Sequence, residues 1–196
     1  MRLPFNFCGF MEVFVIRHTQ VAVKNTCYGQ SNVPLADTFT AEAAKYKNDL
    51  PDDFDAVFCS PLERCRDLSN ALNFGNVIFE NALLEMNFGD WEGKKWNAIE
   101  QAKLDIWMND FACEKPPNGE NLLELFERVT LFLDNLRQQK FDKALLITHA
   151  GVIRCIWAYL LKIPLQNIFK LPVGHNEILT FNLMNDKAFD GITRKK

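Results

Sequence analysis

Two arginines, two histidines and one glutamate stand where strands of this chain should end, and together they suit phosphoryl transfer. Arg17 and His18 follow an apolar run at residues 13–16. Ser60 and, within one helical turn, Arg64 follow the run at 56–59. Glu85 and the stretch Phe88-Gly89-Asp90-Trp91-Glu92-Gly93 come after 77–79, and Thr148, His149, Ala150 and Gly151 come at the end of 144–148. A transferring phosphoryl group spreads negative charge over its equatorial oxygens, so its catalysis is mostly positioning and electrostatic stabilisation. Arginine supplies planar, bidentate donors matched to phosphate. A neutral imidazole is a competent nucleophile near neutral pH, and a carboxyl group can act as general acid. Helix N-termini near Ser60 and Gly151 add backbone donors toward an anion.

The elements that must position these groups follow from periodicity. Strand-like runs at 13–16, 56–59, 77–79, 144–148 and 178–181 alternate, for the most part, with helical patterns at 40–49, 61–72, 95–109, 121–139 and 152–161. That alternation predicts an α/β fold: a single three-layer α/β/α domain over residues 11–196 with a mostly parallel sheet, its last strand open to an antiparallel placement. In such sheets ligands bind beyond the carboxyl ends of the strands, where the five groups would converge. Ser60-Pro61-Leu62-Glu63 predicts a helix start with a capping Ser and a Pro at the first helical position. Asn121 followed by Glu124 predicts a second, with Asn as cap. Pro164 and Pro172 mark a loop before the last strand.

At 196 residues, with 48% hydrophobic and 24% charged residues, the chain has the makings of an ordinary globular domain with a sizeable core. A formal net charge of -3 gives no reason to expect a nucleic-acid or anionic-membrane partner, and no apolar run is long enough to span a bilayer. Six scattered cysteines without a CxxC pair point to a reduced, cytoplasmic setting. The first ten residues, Met1 to Phe10, lack a signal-peptide pattern. They are expected to be a leader or tail, with translation starting at Met11 as one reading.

The motifs resemble those of the histidine phosphatase superfamily, the phosphoglycerate mutase-like proteins. Ile16-Arg17-His18-Thr19 resembles the family's Arg-His-Gly signature. Cys59-Ser60-Pro61-Leu62-Glu63-Arg64, the stretch Leu84 to Gly93, Pro117-Asn118-Gly119-Glu120 and Thr148-His149-Ala150-Gly151-Val152-Ile153-Arg154 follow in the family's order. The resemblance implies a phosphoglycerate mutase-like fold and a phosphohistidine intermediate on His18. It further implies that Arg17, Arg64 and His149 cradle the phosphate, that Glu85 is the general acid, and that no metal or cofactor is needed. Two positions depart from the pattern: Thr19 replaces the glycine after the nucleophile, and Ala150 stands where glycine is common. Cys27-Tyr28-Gly29-Gln30-Ser31-Asn32-Val33-Pro34-Leu35, together with Thr19, is similar to the α-ribazole phosphatase branch. That likeness implies a small phosphomonoester substrate, α-ribazole 5'-phosphate of cobalamin nucleotide-loop assembly, contacted at Tyr28, Gly29 and Gln30. A broad-specificity sugar-phosphate or nucleotide phosphatase is the alternative, and a non-catalytic phosphate-binding module a weaker one. The short stretch between Glu85 and His149 favours hydrolysis over mutase chemistry.

Other residues carry plainer expectations. Arg154, deeper in the fifth helix, is expected in an ion pair. His175, in the loop before the last strand, is expected to be structural or exposed. The three histidines lack any HxH or HxxxH spacing, which argues against a metal site. Phe88, Trp91, Trp107 and Phe111 are expected in core or cap packing. A homo-oligomer is compatible with all of this.

Overall fold

The computed structural model describes residues 9–195. In chain order these form β1 (Phe10–Arg17), α1 (Phe39–Asp49), β2 (Ala56–Cys59), α2 (Glu63–Leu72), β3 (Val77–Phe79), α3 (Gln101–Asn109), α4 (Leu122–Leu136), β4 (Lys143–Thr148), α5 (Ala150–Leu161), β5 (Ile178–Met184) and β6 (Gly191–Lys195). The sheet is six-stranded with order β3-β2-β4-β1-β5-β6. β1 pairs parallel with β4, and β2 parallel with both β4 and β3. β5 runs antiparallel to β1, and β6 antiparallel to β5.

Alternation along the strands sends successive side chains to opposite faces and so builds two cores. Val13, Val15 and Leu146 join Leu125, Val129, Val152 and Ile156 on the α4–α5 side. Ile16, Leu145 and Ile147 join Ala43, Tyr46, Leu68 and Leu72 on the α1–α2 side. The three-layer α/β/α, mostly parallel architecture expected from the sequence is therefore present.

Several boundaries differ from the sequence expectation. β1 begins at Phe10, paired with Met184 across the sheet, so only residues 1–8 of the expected leader lie outside the described residues. The third helix starts at Gln101 because the backbone just before it is engaged elsewhere. Cys27 N–H donates to the Lys94 carbonyl at 2.8 Å, and Trp96 N–H to that of Asn25 at 3.2 Å. The segment between Pro164 and Pro172, expected as loop, contains a 3-10 helix over Leu165–Lys170. The helix start lies later than expected: α2 begins at Glu63 with Leu62 at the cap, while the Ser60 hydroxyl accepts from Leu62 N–H at 3.5 Å and also meets His149 Nε2 at 2.7 Å. The Asn121 capping box does form, Asn121 Oδ1 accepting from Glu124 N–H at 2.9 Å and Glu124 Oε2 from Asn121 N–H at 3.1 Å.

β6 was not anticipated, since Gly191-Ile192-Thr193-Arg194-Lys195 has a single large apolar residue. Arg137, just past α4, secures the turn that leads into it. Its guanidinium donates to Asp190 at 2.7 and 2.6 Å and to the Tyr159 hydroxyl at 2.5 Å. The two side chains of the ion pair are 4% and 3% exposed. Removing one partner of a buried pair leaves an uncompensated charge, so Asp190→Ala should cost about 3–5 kcal/mol. Asn121→Ala, which loses only a cap, should cost about 1 kcal/mol. Urea unfolding of both variants checks the ranking, and a loss at Asp190 no larger than that at Asn121 contradicts it.

Candidate active site

The parallel register of β1 and β4 sets Arg17 opposite Thr148, so the residues that follow, His18 and His149, leave the sheet side by side. Two hydrogen bonds extend the ladder past the strand ends, His18 N–H to the Thr148 carbonyl and Ser60 N–H to that of Ile147, both at 2.9 Å. The imidazole centres of His18 and His149 are 5.2 Å apart. His18 Nδ1 lies 2.7 Å from the Thr19 carbonyl. A carbonyl only accepts, so Nδ1 carries the proton and the lone pair of the neutral ring is on Nε2. His149 Nε2 meets the Ser60 hydroxyl at 2.7 Å, with the buried Cys65 sulfur 3.5 Å away.

Arg64, in the first turn of α2, is only 1% exposed. Its Nη1 donates to the Ser31 carbonyl at 3.0 Å and its Nη2 to that of Gly29 at 2.5 Å, while Nε has no protein partner. Its Cζ stands 5.4 Å from the Tyr28 ring centre. Arg17 donates to the Val173 carbonyl at 3.2 Å and likewise keeps a buried Nε without a partner. Burial, followed by the positive charges of Arg64 and Arg17, holds His18 well below its ordinary value. Burial and Arg64 do the same to His149. The cluster therefore holds neutral imidazoles beside guanidiniums, with donors left over for an anion.

Glu85 reaches this cluster from the loop after β3. Its carboxylate accepts from Gly151 N–H at 3.1 and 3.2 Å, in the first turn of α5, and from its neighbour Met86 N–H at 3.1 Å. A Cβ on Gly151 would stand 2.2 Å from Glu85 Oε1, so that approach requires glycine. The Glu85 carbonyl accepts from Gln30 Nε2 at 3.0 Å and from Arg128 at 3.1 Å. Arg128 is held in turn by Glu120 at 2.8 Å.

The five residues expected to act together, Arg17, His18, Arg64, Glu85 and His149, thus converge on one edge of the sheet. Tyr28, Gly29 and Gln30 lie at its border, with the polar groups of Gly29 and the Gln30 amide already engaged by Arg64, Glu92 and Glu85. Neither Thr19 nor Ala150 has positive φ, so both accept a side chain without backbone strain. Thr19 is fully buried, and its hydroxyl has no protein partner.

Other placements differ from the sequence expectations. Arg154 makes no ion pair among the described residues; its Nε donates to the Leu171 carbonyl at 3.2 Å. His175 has the structural place that was one of its two readings: its Nδ1 donates to the His18 carbonyl at 3.0 Å, and its ring centre is 5.8 Å from that of His18. Glu92 had been read only as part of a motif. Its carboxylate accepts from the N–H groups of Gly29, Gln30, Ser31 and Phe88 at 3.0, 2.8, 3.0 and 3.1 Å, joining two loops. Burial opposes its ionisation, but the bonds from Ser31, Gly29 and Gln30 outweigh that and hold it below the ordinary range. The position of Glu120 in the Pro-Asn-Gly-Glu motif was the only sequence signal for the Arg128 clamp.

No cluster of three or more His, Cys, Asp or Glu side chains among the described residues could hold a metal ion. No helix among them is long and apolar enough to cross a membrane. A groove of about 580 Å³ between α4 and β3, lined by Phe58, Ile78, Leu131 and Phe141, contains none of the candidate residues.

Known proteins are similar to this chain over most of its length. The adenosylcobalamin/alpha-ribazole phosphatase of Escherichia coli (strain K12) is 27% identical, the match covering 91% of this chain and 97% of that protein. The alpha-ribazole phosphatase of Shigella flexneri superposes with a TM-score of 0.85 at 27% identity, covering 93% of this chain and 95% of its own. A mycobacterial glucosyl-3-phosphoglycerate phosphatase, at 21% identity and a TM-score of 0.78 over 89% and 91% of the two chains, shares the fold. The model of the histidine phosphatase superfamily (branch 1) matches residues 13–189. With its paired histidines and arginines at the shared sheet edge, the chain is a phosphatase that belongs to the histidine phosphatase superfamily, branch 1.

Proposed function

We propose that the chain hydrolyses a small phosphomonoester through a phosphohistidine on His18, and that α-ribazole 5'-phosphate is its substrate. The observation that carries the chemistry is the neutral His18, with its proton on Nδ1, beside Arg17 and Arg64, whose Nε groups are buried without protein partners. His18 Nε2 attacks phosphorus in line, and the bond from phosphorus to the ester oxygen breaks. Arg17, Arg64 and His149 take the charge that develops on the equatorial oxygens. Glu85 delivers its proton to the departing alkoxide. A water then attacks the phosphohistidine, giving its proton to the Glu85 carboxylate as the bond from nitrogen to phosphorus breaks and phosphate leaves. The step draws on side chains alone, and full activity in EDTA is expected. The substrate assignment is supported by the two alpha-ribazole phosphatases at 27% identity and by the loop from Cys27 to Leu35. Free thiols at Cys27, Cys59, Cys65, Cys113 and Cys155 suit the reducing cytoplasm, which we assign as its setting.

Turnover of α-ribazole 5'-phosphate, p-nitrophenyl phosphate and 3-phosphoglycerate, measured in EDTA, tests the substrate. Preference for the ribazole ester is expected; equal turnover of all three would favour a broad-specificity phosphatase. His18→Ala should lower hydrolysis by roughly a thousandfold or more with the fold retained. Glu85→Gln should slow the ribazole ester at least about tenfold more than the aryl ester, whose good leaving group needs no strong acid. Equal losses on the two esters would remove Glu85 from that role.

The pH dependence has a definite sign. Burial and the two arginines depress His18 below 6.5, so its nucleophilic, unprotonated form persists as pH falls through that value. With p-nitrophenyl phosphate, kcat/KM should stay level from neutral pH through 6.5 and decline only below it. An acid limb centred at 6.5 or higher would mean that His18 titrates as an ordinary histidine.

A further inference from the structure

Arg154 is a cation of the site that the hydrolytic steps leave without a task. It lies on α5 beyond His149, and its Nε is anchored to the Leu171 carbonyl at 3.2 Å. Its Cζ stands 5.5 Å from the centre of the Phe169 ring. No carboxylate is within ion-pair distance among the described residues, although burial pulls its pKa down and Glu85 is the main charge opposing that pull. Its terminal nitrogens make no hydrogen bond among the described residues and are not buried, so a ligand can meet them.

Both side chains wall a cavity of about 100 Å³ that Glu85 also lines. The rest of its wall is largely apolar, with Phe88, Leu122, Leu125 and Ile168 among the lining residues. Phe169 is 54% exposed and packs edge-on to Phe111 with ring centres 4.7 Å apart, so its ring is braced while one side stays open. A general acid must stand next to the oxygen it protonates. A group attached to that oxygen can extend past Glu85 along this cavity. Apolar walls favour a flat, weakly hydrated group, and a guanidinium at the rim favours hydrogen-bond acceptors or the face of an aromatic ring.

We propose that Arg154 and Phe169 form the specificity-determining rim of the leaving-group site and select esters whose alcohol is a nucleoside. The base enters between Phe169 and the apolar wall, and the guanidinium of Arg154 meets acceptor atoms of the sugar or base. The assignment rests on the phosphohistidine reading for the location of the ester oxygen. It adds the two side chains that read what that oxygen carries. A compact aliphatic alcohol, by contrast, reaches neither the ring nor the guanidinium.

Two measurements separate this inference from the reading beneath it. The first is steady-state hydrolysis of α-ribazole 5'-phosphate, AMP and glycerol 3-phosphate by the wild type, Arg154→Met and Phe169→Ala, with vanadate inhibition reporting the phosphate cradle. Each variant should raise KM for the two nucleoside phosphates about tenfold or more, with kcat, glycerol 3-phosphate turnover and vanadate inhibition within about threefold of wild type. Proportional losses on all three esters, or unchanged KM for the nucleoside phosphates, would overturn the rim. The second is calorimetric binding of α-ribazole 5'-phosphate to His18→Ala with and without Arg154→Met, which does not depend on turnover. Binding weakened about tenfold by the second substitution is expected, and equal affinity overturns the rim. A wild type that hydrolyses no ester yet shows the binding difference would instead overturn the hydrolytic reading alone.

Discussion

A guanidinium buried without a carboxylate in contact constrains the rest of this site. Arg64 is almost fully enclosed, and its two terminal nitrogens are satisfied by the carbonyls of Ser31 and Gly29 rather than by an anion. Such a charge keeps its attraction for a ligand, because no fixed negative group has neutralised it. The same charge, with Arg17, helps keep the two imidazoles neutral. One arrangement therefore leaves the Nε2 lone pair of His18 free beside an environment suited to an anion.

Carbonyl acceptors must be held in place for this to work, and Glu92 holds them. Its four backbone hydrogen bonds fasten the Gly29–Ser31 turn to Phe88, and so to the loop that carries Glu85. Gly29 is required there, since a Cβ would fall 1.8 Å from the Met86 carbonyl oxygen. The Glu85 backbone is then gripped from both sides, by Gln30 and by the Arg128–Glu120 pair. Segments far apart in the chain are joined here by hydrogen bonds near 3 Å, from Gln30 to the Glu85 carbonyl, from Arg64 to the Ser31 carbonyl and from Gly151 N–H to the Glu85 carboxylate. Preorganisation of this kind lets fixed donors replace water at the moment of charge transfer.

Apolar material gathers where the chemistry ends. Phe88, Trp96 and Trp107 pack against one another beneath the Glu92 loop, Trp96 and Trp107 nearly stacked and the others edge-on. Phe88 also lines the apolar cavity that Glu85, Arg154 and Phe169 border.

Short-range patterns in the sequence determined much of this. Alternation of strand and helix, the Asn121 capping box and the five charged or nucleophilic residues near strand ends were legible because period and capping are local properties, whereas the direction of the last major strand is not. Residues at the carboxyl ends of parallel strands must share an edge, so convergence of Arg17, His18, Arg64, Glu85 and His149 followed from topology alone. Partners were decided only by the tertiary structure. Ser60 reads as a helix cap, and only the fold brings His149, from the end of a strand far along the chain, to the same hydroxyl. Arg154 reads as one half of an ion pair until the fold sets it beside Phe169, with no carboxylate at ion-pair distance among the described residues. His175 reads as a loop residue until the chain returns it to the His18 carbonyl. A side chain's type states which bonds it is able to make, whereas the long-range packing decides which of them it makes.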